Sequence, residues 1–446
     1  MTTEICISAA DMISLRSEIL QSQEERCAVL FAAESLRSDG QVRLLVRDIE
    51  YPEQTDYSSQ GVDNAELAPV FVARVTKKAQ LGQLTLVFVH THPGIQSPKF
   101  SAVDARGEHV LAEFLSGRGL KGHHAALVMS IGGVRARLLG LGEEIRVVAL
   151  GAKRVVEFDP GIIDEAAYSP VFDRQVRAFG VAGQQRLERL RVAIVGLGGT
   201  GSVVAQQLVH LGIRRFVLID PDVVEKANLN RVVGATPLDL GRSKVLVAER
   251  YLQTFDGDVS TISIIGDVVH DRVARKIVDV DLIFCCTDSH GSRAVLQQIA
   301  YQYLIPCIDL GSTITQNEGQ ITGIFGRVQL LAPGLPCLWC SGLLDAAEVR
   351  KDMMNESERK LDPYIVGAHE PAPSVISLNG TVTSLAVSML LGIAAGAPID
   401  ATHVIYNACA STLRPVSTKA QPDCFICSRK GVLGWGDGRP LFTRQD

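Results

Sequence analysis

Apolar and polar positions along the first third of the chain have the spacing of a small α/β unit. Apolar residues three and four positions apart predict helices, and short apolar runs bounded by turn residues predict strands. Helices are expected at 8–23 and 103–116, and strands at 27–32, 42–46, 84–89, 125–130 and 134–139. The last two strands form a hairpin around Gly132 and Gly133.

The middle of the chain carries a different pattern, in which a buried strand leads directly into a glycine turn. The apolar run 192–195 suits a parallel strand, and residues 196–201 have the spacing G-x-G-x-x-G. A helical pattern follows, and a second strand, 216–219, ends at Asp220. This order places phosphates at a helix N-terminus and a ribose hydroxyl on the acid. It predicts a Rossmann-like, doubly wound nucleotide-binding fold, although the turn alone would ordinarily suggest NAD or FAD.

Length and composition limit the number of domains and the class of protein. A chain of 446 residues is too long for one ordinary core. We expect a first domain at 1–150, a linker at 151–171 and a second domain at 172–446. The hydrophobic content of 46% and the charged content of 21% are normal for a soluble globular protein. The net charge of −5 contains no block of like charges, so we expect neither nucleic-acid binding nor an electrostatic membrane patch.

The apolar pattern shows neither an export signal nor a spanning helix. The first twenty residues carry acids and lack the continuous apolar core of a signal peptide. No run of about 18 apolar residues occurs, and the most apolar stretch, 384–398, is typical of a buried helix rich in Ala and Leu. We therefore expect a cytoplasmic protein.

Two histidines and an aspartate follow a very apolar strand of the first domain in an order that suits zinc. His90 and His92 leave the strand on the same side, and Asp104 lies at the start of the next helix. Three such ligands can bind a catalytic zinc ion and leave the fourth position open for water, whose pKa zinc lowers. The site then needs a carboxylate as general base, and Ser101 is placed to donate a hydrogen bond to the developing oxyanion.

This H-x-H-P…S-x-x-D arrangement resembles the JAMM motif of the JAB/MPN metalloprotease family, which removes ubiquitin and ubiquitin-like proteins. The resemblance covers roughly the first third of the chain, with one additional residue in the loop before Ser101. It implies an N-terminal α/β metalloprotease domain in which Glu25 is the general base. Glu24 and Glu34 are the neighbouring alternatives for that role.

Polar residues that follow the glycine turn bring positive charge and a carboxylate towards a nucleotide. Asn228, Arg231 and Lys244 come after Asp220, and Asp288 follows another apolar strand. A carboxylate at the carboxyl end of a parallel strand can hold Mg²⁺. Two cations beside a triphosphate favour nucleotidyl or phosphoryl transfer over hydride transfer.

The motifs G-x-G-G-x-G, D-x-D-x-V-x-x-x-N-L-x-R, G-x-x-K and C-T-D resemble those of the ThiF/MoeB superfamily, the activating enzymes of ubiquitin-like proteins. The resemblance runs from about Phe172 to the C-terminus. In that superfamily ATP adenylates the C-terminal glycine of a small β-grasp protein. The resemblance implies a homodimer in which Arg174 reaches into the partner subunit's site, and a magnesium ion on Asp288. It further implies that ATP is bound by Gly196, Gly198, Gly199, Gly201, Asp220, Asp222, Asn228, Arg231 and Lys244.

Four of the ten cysteines form two C-x-x-C pairs, Cys337 with Cys340 and Cys424 with Cys427. Each pair can supply half of a closed structural zinc site that joins distant segments of the chain. The other six cysteines lie mostly in apolar surroundings. We therefore expect free buried thiols and a metal site, and no disulfides.

Residues 341–378 contain no cysteine, although thioester-forming activating enzymes usually carry one in this loop. His369 stands about where the thiol is expected. Either the acyl-adenylate passes directly to an acceptor, or a loop hydroxyl forms an oxyester, with Ser341, Ser357 and Ser374 as candidates.

Together these patterns predict a bifunctional enzyme of a bacterial ubiquitin-like pathway, such as a defence system. It would trim or remove a ubiquitin-like protein and also adenylate it, using ATP, Mg²⁺, one catalytic zinc and one structural zinc. An E2-like conjugating enzyme would then be a further partner. One alternative is the processing and activation of a sulfur-carrier protein for thiocarboxylate formation. Another is a binding scaffold without catalysis.

Overall fold

The computed structural model describes residues 3–161, 168–255, 257–355 and 373–444, which form two compact units. The units are discontinuous in sequence. The first consists of Met1–Glu165, Gln302–Leu304 and Arg429–Pro440, and the second of Ala166–Tyr301, Ile305–Ser428 and Leu441–Asp446. The division expected from the sequence, with a linker at 151–171 and one domain over 172–446, therefore differs from the observed one at both ends.

The first unit is built on an eight-stranded sheet that closes on itself. Its order is β1-β3-β2-β6-β7-β8-β9-β10, and β1 also pairs with β9. The strands of the unit are β1 (Glu4–Ser8), β2 (Cys27–Leu36), β3 (Val42–Glu50), β4 (Tyr57–Gln60), β5 (Ala65–Leu67), β6 (Thr85–Thr91), β7 (Ala125–Ser130), β8 (Gly133–Leu138), β9 (Glu144–Leu150) and β10 (Arg154–Phe158). Its helices are α1 (Ala9–Ile19), α2 (Pro69–Gly82) and α3 (Ala102–Gly117).

Both faces of this sheet are covered, as the long apolar runs of its central strands require. Along β2, Leu30 packs into one hydrophobic cluster, and its neighbours Val29 and Phe31 pack into the other. The expected strands and helices occur in this unit, but one further helix and five further strands were not anticipated: α2, β1, β4, β5, β9 and β10. Because β10 pairs antiparallel with β9, the sheet extends into the region expected to be a linker.

The second unit contains the predicted doubly wound fold. Its sheet has the order β13-β12-β11-β14-β15-β16-β17-β18, parallel from β13 to β15 and antiparallel from β15 to β18. The strand order reverses beside β11, where such sheets bind their ligands. The strands are β11 (Arg191–Val195), β12 (Arg215–Asp220), β13 (Ser260–Ile265), β14 (Leu282–Cys285), β15 (Cys307–Asn317), β16 (Gln320–Leu331), β17 (His403–Asn407) and β18 (Thr412–Pro415). The described helices from residue 168 onwards are α4 (Asp173–Arg189), α5 (Gly199–His210), α6 (Lys244–Phe255), α7 (Asp271–Ala274), α8 (His290–Gln302), α9 (Ala346–Met353) and α10 (Ile376–Leu390).

The most apolar helix lies in the core of the second unit. The helix α10 continues through a π-helical turn, Leu391–Ala395, and ends at Gly396, whose φ of 85° suits glycine. Within the described residues, the segment Ile376–Ala395 alone is long and apolar enough to cross a membrane. This is weak evidence for a span, because core helices meet the same criterion and 56% of the segment's apolar window is buried. Val382, Ala386 and Leu390 belong to the hydrophobic core.

A buried ion-pair cluster joins the parallel and antiparallel parts of the second sheet. Asp309 on β15 is fully buried, 2.9 Å from Arg327 on β16 and 3.3 Å from Arg293 on α8. Burial alone would raise the pKa of the Asp309 carboxyl, but the charges of Arg327 and Arg293 hold it below its usual value. The carboxylate is therefore the charged form at neutral pH, and its stabilising effect is lost as the pH falls through the lowered pKa.

Replacing this carboxylate is expected to destabilise the second unit strongly. In Asp309→Asn, two buried guanidinium groups lose their counter-charge, at a cost of about 3–5 kcal/mol in the free energy of unfolding. Urea unfolding measures this through Trp339, which is the sole tryptophan in a Trp435→Phe background. The matched control is Asp173→Asn, whose pairing with the exposed Arg177 contributes at most about 1 kcal/mol. Equal effects of the two changes would contradict the role assigned to Asp309.

Candidate functional sites

The first candidate site lies where β6 ends beside β2. The antiparallel register pairs Cys27 with His90, and continuing it places Glu25 across from His92. Asp104 lies in the first turn of α3, whose N-cap is Ser101. Two neighbouring strands and one helix start thus bring together the residues singled out in the sequence.

The donor atoms of His90, His92 and Asp104 lie within 4.8 Å of one another. One Asp104 oxygen is 3.4 Å from His90 Nε2, and the other is 3.5 Å from His92 Nε2. Ligands of a tetrahedral zinc ion stand about 3.3 Å apart, since Zn–N and Zn–O bonds are about 2 Å long. His90 Nε2 is buried without a hydrogen-bond partner among the described residues. The triad therefore fits a zinc ion that keeps one coordination position open.

Glu25 stands beside the triad, with Oε1 3.9 Å from His92 Nε2. Its main chain is fixed by bonds from Glu25 N to the Gly61 carbonyl and from Gln60 Nε2 to the Glu25 carbonyl. Burial raises the pKa of the Glu25 carboxyl to about 7, whereas the positive charge of His90 opposes the shift. A divalent cation bound here would favour the carboxylate form.

The two alternatives to Glu25 lie in other surroundings. Glu24 is exposed, and the Glu34 carboxylate accepts the His123 backbone N–H at 2.6 Å. Among the described ionic contacts, neither of them reaches the histidine pair.

Ser101 and Asp104 bond to each other at the start of α3. The Ser101 hydroxyl oxygen accepts the Asp104 N–H at 3.1 Å, and an Asp104 oxygen accepts the Ser101 N–H at 2.5 Å. This capping box fixes the carboxylate towards the histidines. Burial opposes the charge on Asp104, but His90 and these bonds hold the pKa of its carboxyl well below the usual range. The Ser101 O–H remains able to donate.

Three residues that the sequence did not single out lie behind His90. Glu108 on α3 and Arg137 on β8 form a largely buried ion pair at 2.9 Å, and the Arg137 guanidinium lies 3.9 Å above the Phe100 ring. The Phe100 ring is in turn 6.1 Å from the His90 ring. Phe100 and Glu108 lie next to the motif in sequence but are not part of it, and Arg137 lies about thirty positions further on, so only the packing reveals this set.

The second candidate site is the glycine turn between β11 and α5. A Cβ on Gly201 would lie 1.8 Å from the Gly196 carbonyl oxygen, and one on Gly199 would lie 2.2 Å from Asn379 Nδ2. Gly196 has a φ of 89° and packs against the main chain after β14. Around Gly198, in contrast, there is open space, and α5 begins there without a side-chain cap. The first N–H groups of the helix can therefore bind an anion.

This difference between the glycines gives a direct prediction. Gly201→Ala is expected to lower the free energy of unfolding of the second unit by about 1–3 kcal/mol or more, because the new methyl group overlaps a carbonyl oxygen. Gly198→Ala should change it by no more than about 0.5 kcal/mol. Urea unfolding followed by Trp339 fluorescence, again in the Trp435→Phe background, compares the two. A Gly198→Ala variant that unfolds as easily as Gly201→Ala would mean that the close approach is not what selects glycine.

Charged residues surround this turn at the carboxyl ends of the strands. Asp220 is buried, and its carboxylate accepts the Leu197 N–H at 2.6 Å and the Asp222 N–H at 2.8 Å. Burial raises the pKa of Asp220, while the Lys244 charge opposes the shift. Lys244 Nζ lies 2.7 Å from the exposed Asp222 carboxylate. The aspartates thus fix the turn and hold Lys244 beside it.

Arg231 and Asn228 complete the same edge. The Arg231 side chain passes beside Gly199, and its guanidinium donates to the Ala227 carbonyl and to Asn230. Asn228 is buried and accepts the Glu225 N–H. Arg231 can therefore offer its remaining donors to a ligand at the turn. The side-chain oxygen of Asn228, in contrast, already accepts a main-chain N–H.

Asp288 is exposed just beyond β14, as the sequence pattern predicts. Close by, Asp352 accepts hydrogen bonds from the Ser289 hydroxyl and from the Gly291 N–H. Asn379, beside Gly199, donates to the Ser374 hydroxyl at 3.0 Å. Asp352 and Asn379 could not be predicted from the sequence motifs, because each lies far along the chain from the motif that it supports.

Some predicted residues are not joined to this edge. Arg174 is exposed on α4, and within the described part of the chain no hydrogen bond or ion pair connects it to the glycine turn. Ser341 accepts a bond from Gln329 at 2.9 Å, and Ser374 is held by Asn379. Ser357 and His369 lie outside the described residues.

The two C-x-x-C pairs come together in the second unit. Cys337 Sγ is 3.5 Å from Cys424 Sγ, and Cys340 Sγ is 3.6 Å from Cys427 Sγ. Sulfur ligands of a tetrahedral zinc ion stand about 3.8 Å apart, because Zn–S bonds are about 2.3 Å long. These thiols therefore fit a closed structural zinc site. All ten cysteines are free thiols, and Cys409, unlike most of the others, is exposed.

The chain is similar to several known proteins over more than half of its length. Over 261 residues the chain is 28% identical to molybdopterin-synthase adenylyltransferase of Escherichia coli, covering 58% of this chain and 96% of that protein. It is 28% identical over 255 residues to SAMP-activating enzyme E1 of Haloferax volcanii, covering 57% and 86%. It is 26% identical over 305 residues to ubiquitin-like modifier-activating enzyme 5 of Oryza sativa subsp. japonica, covering 65% and 67%.

The sequence profile of the ThiF family matches residues 172–426, which leaves residues 1–171 outside the match. The matched segment contains the glycine turn, the charged residues at the strand ends and Cys337, Cys340 and Cys424, and it ends one residue before Cys427. Since it spans more than half of the chain, this protein belongs to the ThiF family.

Proposed function

We propose that the second unit is an adenylyltransferase that uses ATP to activate the C-terminal carboxylate of a ubiquitin-like or sulfur-carrier protein. The observation that carries this proposal is the placement of Lys244 and Arg231 beside the uncapped start of α5. Such a concentration of positive charge suits the phosphates of a nucleotide. The names of the three relatives, which describe activating enzymes and an adenylyltransferase, support it.

The residues around the glycine turn would have separate roles in adenylation. The carrier carboxylate attacks the α-phosphorus of ATP, the bond to the β-phosphate breaks, and pyrophosphate leaves. Lys244, Arg231 and the N–H groups at Gly198 and Gly199 neutralise the charge that develops on the phosphates. Asp220 is assigned to the ribose. Magnesium, for which Asp288 is the assigned ligand, supplies further neutralisation of the leaving pyrophosphate.

We further propose that the first unit is a zinc peptidase of the JAB/MPN type that acts on the same carrier. The support is the fit of His90, His92 and Asp104 to a zinc ion with an open position. Bound zinc supplies a Lewis acid and lowers the pKa of water. Glu25 takes the proton from the attacking water and passes it to the leaving amine. The Ser101 hydroxyl donates to the oxyanion.

In this proposal the two activities follow one another on one protein tail. Peptide cleavage exposes a C-terminal glycine, or frees it from a conjugate, and adenylation then activates it. We assign Arg174 to the site of the partner subunit in a homodimer, and we place the pathway in the bacterial cytoplasm. An E2-like enzyme would receive the activated protein in a conjugation pathway.

Sulfur-carrier activation is the second candidate, and a specific observation favours it. The stretch 341–378, where thioester-forming enzymes usually carry their cysteine, has none. An acyl-adenylate without such a thiol can pass directly to a sulfur donor. A binding scaffold without catalysis is the remaining alternative, against which the complete set of metal and phosphate ligands argues.

Carrier-dependent exchange of radiolabelled pyrophosphate into ATP tests the adenylation proposal. With candidate β-grasp proteins encoded beside this gene, we expect exchange that requires the carrier's free C-terminal glycine. Adding sulfide and analysing the carrier by mass spectrometry separates the two pathways, because thiocarboxylate formation adds sulfur in place of oxygen. Background exchange with every carrier would support the scaffold alternative and overturn the proposal.

A further inference from the structure

The second unit contains a cavity of about 580 Å³ that neither proposed activity uses. Three stretches of chain line it: the end of β16 with the loop to Pro336, the residues Asp400 to His403 that lead into β17, and Pro415 to Ala420 after β18. None of the lining residues is a zinc-ligand candidate or belongs to the glycine turn. The volume lies within the usual range of small-molecule sites.

Two buried polar side chains that line this cavity carry atoms without a hydrogen-bond partner among the described residues. Gln329 and His403 are cross-strand neighbours and are 1% and 6% exposed. Both ring nitrogens of His403, and Oε1 of Gln329, have no partner among the described residues. Buried polar groups are normally paired, so three unpaired atoms at one place indicate a missing ligand or bound water.

The orientation of the Gln329 amide is fixed by its other contacts. Its Nε2 donates to the Pro336 carbonyl and to the Ser341 hydroxyl, both at 2.9 Å. A flipped amide would bring its oxygen against the Pro336 carbonyl oxygen, which is repulsive. Oε1 is therefore the atom that remains available as an acceptor.

The hydrogen-bonding capacity of the two side chains selects the ligand. Burial and the nearby Arg327 charge lower the pKa of His403, so its ring is neutral and offers one donor and one acceptor. With Gln329 Oε1, the protein presents two acceptors and one donor. A carboxylate or phosphate brings acceptors alone, and an ammonium group brings donors alone. A primary carboxamide brings two donors and one acceptor, which is the complementary set.

Two of the segments that line the cavity are anchored next to the four cysteines of the structural zinc site. Pro336 directly precedes Cys337, and Ala420 precedes Gln421, whose N–H donates to Cys340 Sγ at 3.3 Å. The segment after β18 is also hydrogen-bonded to the start of β17, because Val416 N donates to the His403 carbonyl at 2.8 Å. A site whose walls are fixed before binding loses less freedom when a ligand enters.

We propose that this cavity binds a neutral primary carboxamide through Gln329 and His403, either as a free amide or as an Asn or Gln side chain of a peptide. The site goes beyond the adenylation and peptidase activities, and its test does not depend on either of them.

Histidine ring nitrogens report on this binding directly. The full-length protein, labelled with ¹⁵N-histidine, is titrated with propionamide and with an acetylated, amidated Ala-Asn-Ala peptide, and acetate and methylammonium serve as mismatched probes. The His403 signals are assigned by their loss in His403→Gln. We expect saturable shifts of these signals with both amides and none with the charged probes. Tighter binding of the peptide identifies a peptide source, and equal affinity identifies a free amide.

Two variants decide between a carboxamide site and its alternatives. Gln329→Met keeps the side-chain volume and removes the acceptor, and should weaken amide binding about tenfold. Lys419→Met removes a charge at the rim and should leave amide binding unchanged. Zinc content and tryptophan fluorescence check that both variants fold. Shifts caused by acetate and lost in Lys419→Met would identify an anion site, and no shift with either amide would identify a water-filled cavity. Either result overturns the proposal.

Discussion

Asp288→Ala is expected to reduce carrier-dependent pyrophosphate exchange by about 10²- to 10³-fold, the usual effect of losing one group that stabilises a charged transition state. The carboxylate is exposed beyond β14, at the edge where Lys244 and Arg231 also lie. Its loss removes the assigned magnesium ligand, while the glycine turn keeps its own contacts. Exchange is measured at saturating ATP and carrier, and cleavage of a C-terminally extended carrier is followed in parallel.

Two controls distinguish a local effect of Asp288→Ala on adenylation from a general loss of folding. Asp258→Asn changes an exposed carboxylate of the same unit and should leave exchange unchanged. Cleavage by the first unit should also be unaffected in Asp288→Ala. If exchange persisted at the wild-type rate in a well-folded Asp288→Ala protein, the assignment of magnesium to this carboxylate would be wrong.

His92→Ala is expected to abolish cleavage of a C-terminally extended carrier and to spare pyrophosphate exchange. Losing an outer-shell partner of a metal ligand costs about 10- to 100-fold in metal affinity or activity, and removing the ligand itself should cost more. Zinc content, measured by mass spectrometry, should fall from two ions per chain to one, because the four-cysteine site is unchanged.

Two further variants sharpen this test. Glu25→Gln should keep both zinc ions and lose cleavage, since the residue is assigned to proton transfer and not to metal binding. His109→Ala, which changes an exposed histidine on α3, should behave as wild type. Cleavage that survives in His92→Ala with one zinc ion per chain would place the peptidase site elsewhere or show that there is none.

Much of the second unit could be predicted because its signals are local. The apolar run before Gly196 gave the strand, the glycine spacing gave the turn, and Asp220 marked the end of the next strand. The doubly wound fold predicted from them is confirmed by the strand order. The antiparallel extension from β16 to β18 carries no comparable motif and required the structure.

In the first site, residue spacing along the chain predicts the three metal ligands but not the general base. The histidines and Asp104 are within fifteen residues of one another, so their spacing predicts a shared site. The choice among Glu24, Glu25 and Glu34 depends on the pairing register of β2 with β6, which no spacing reveals. In the structure Glu25 lies beside His92, and Glu34 is bonded to His123. The assignment of Glu25 as the base stays a prediction until it is tested.

Residues from distant parts of the chain could not be anticipated at all. Asp352 contacts Gly291 after β14, and Asn379 lies beside Gly199 in the glycine turn. Both residues come from segments 60 or more positions beyond the motifs that they touch. The same limit explains the domain boundaries. The sequence after Cys427 looks like a continuation of the second domain, yet Arg429–Pro440 packs in the first unit.

That last segment determines when the first unit can be completed during synthesis. Asp437 accepts the Leu36 N–H and the Tyr303 hydroxyl, and the Arg47 guanidinium lies 3.5 Å above the Trp435 ring. The ribosome makes residues 1–165 long before it reaches Trp435. The N-terminal sheet therefore lacks the Asp437 acceptor for the Leu36 N–H and the Trp435 ring beneath Arg47 until residues 429–440 have been made.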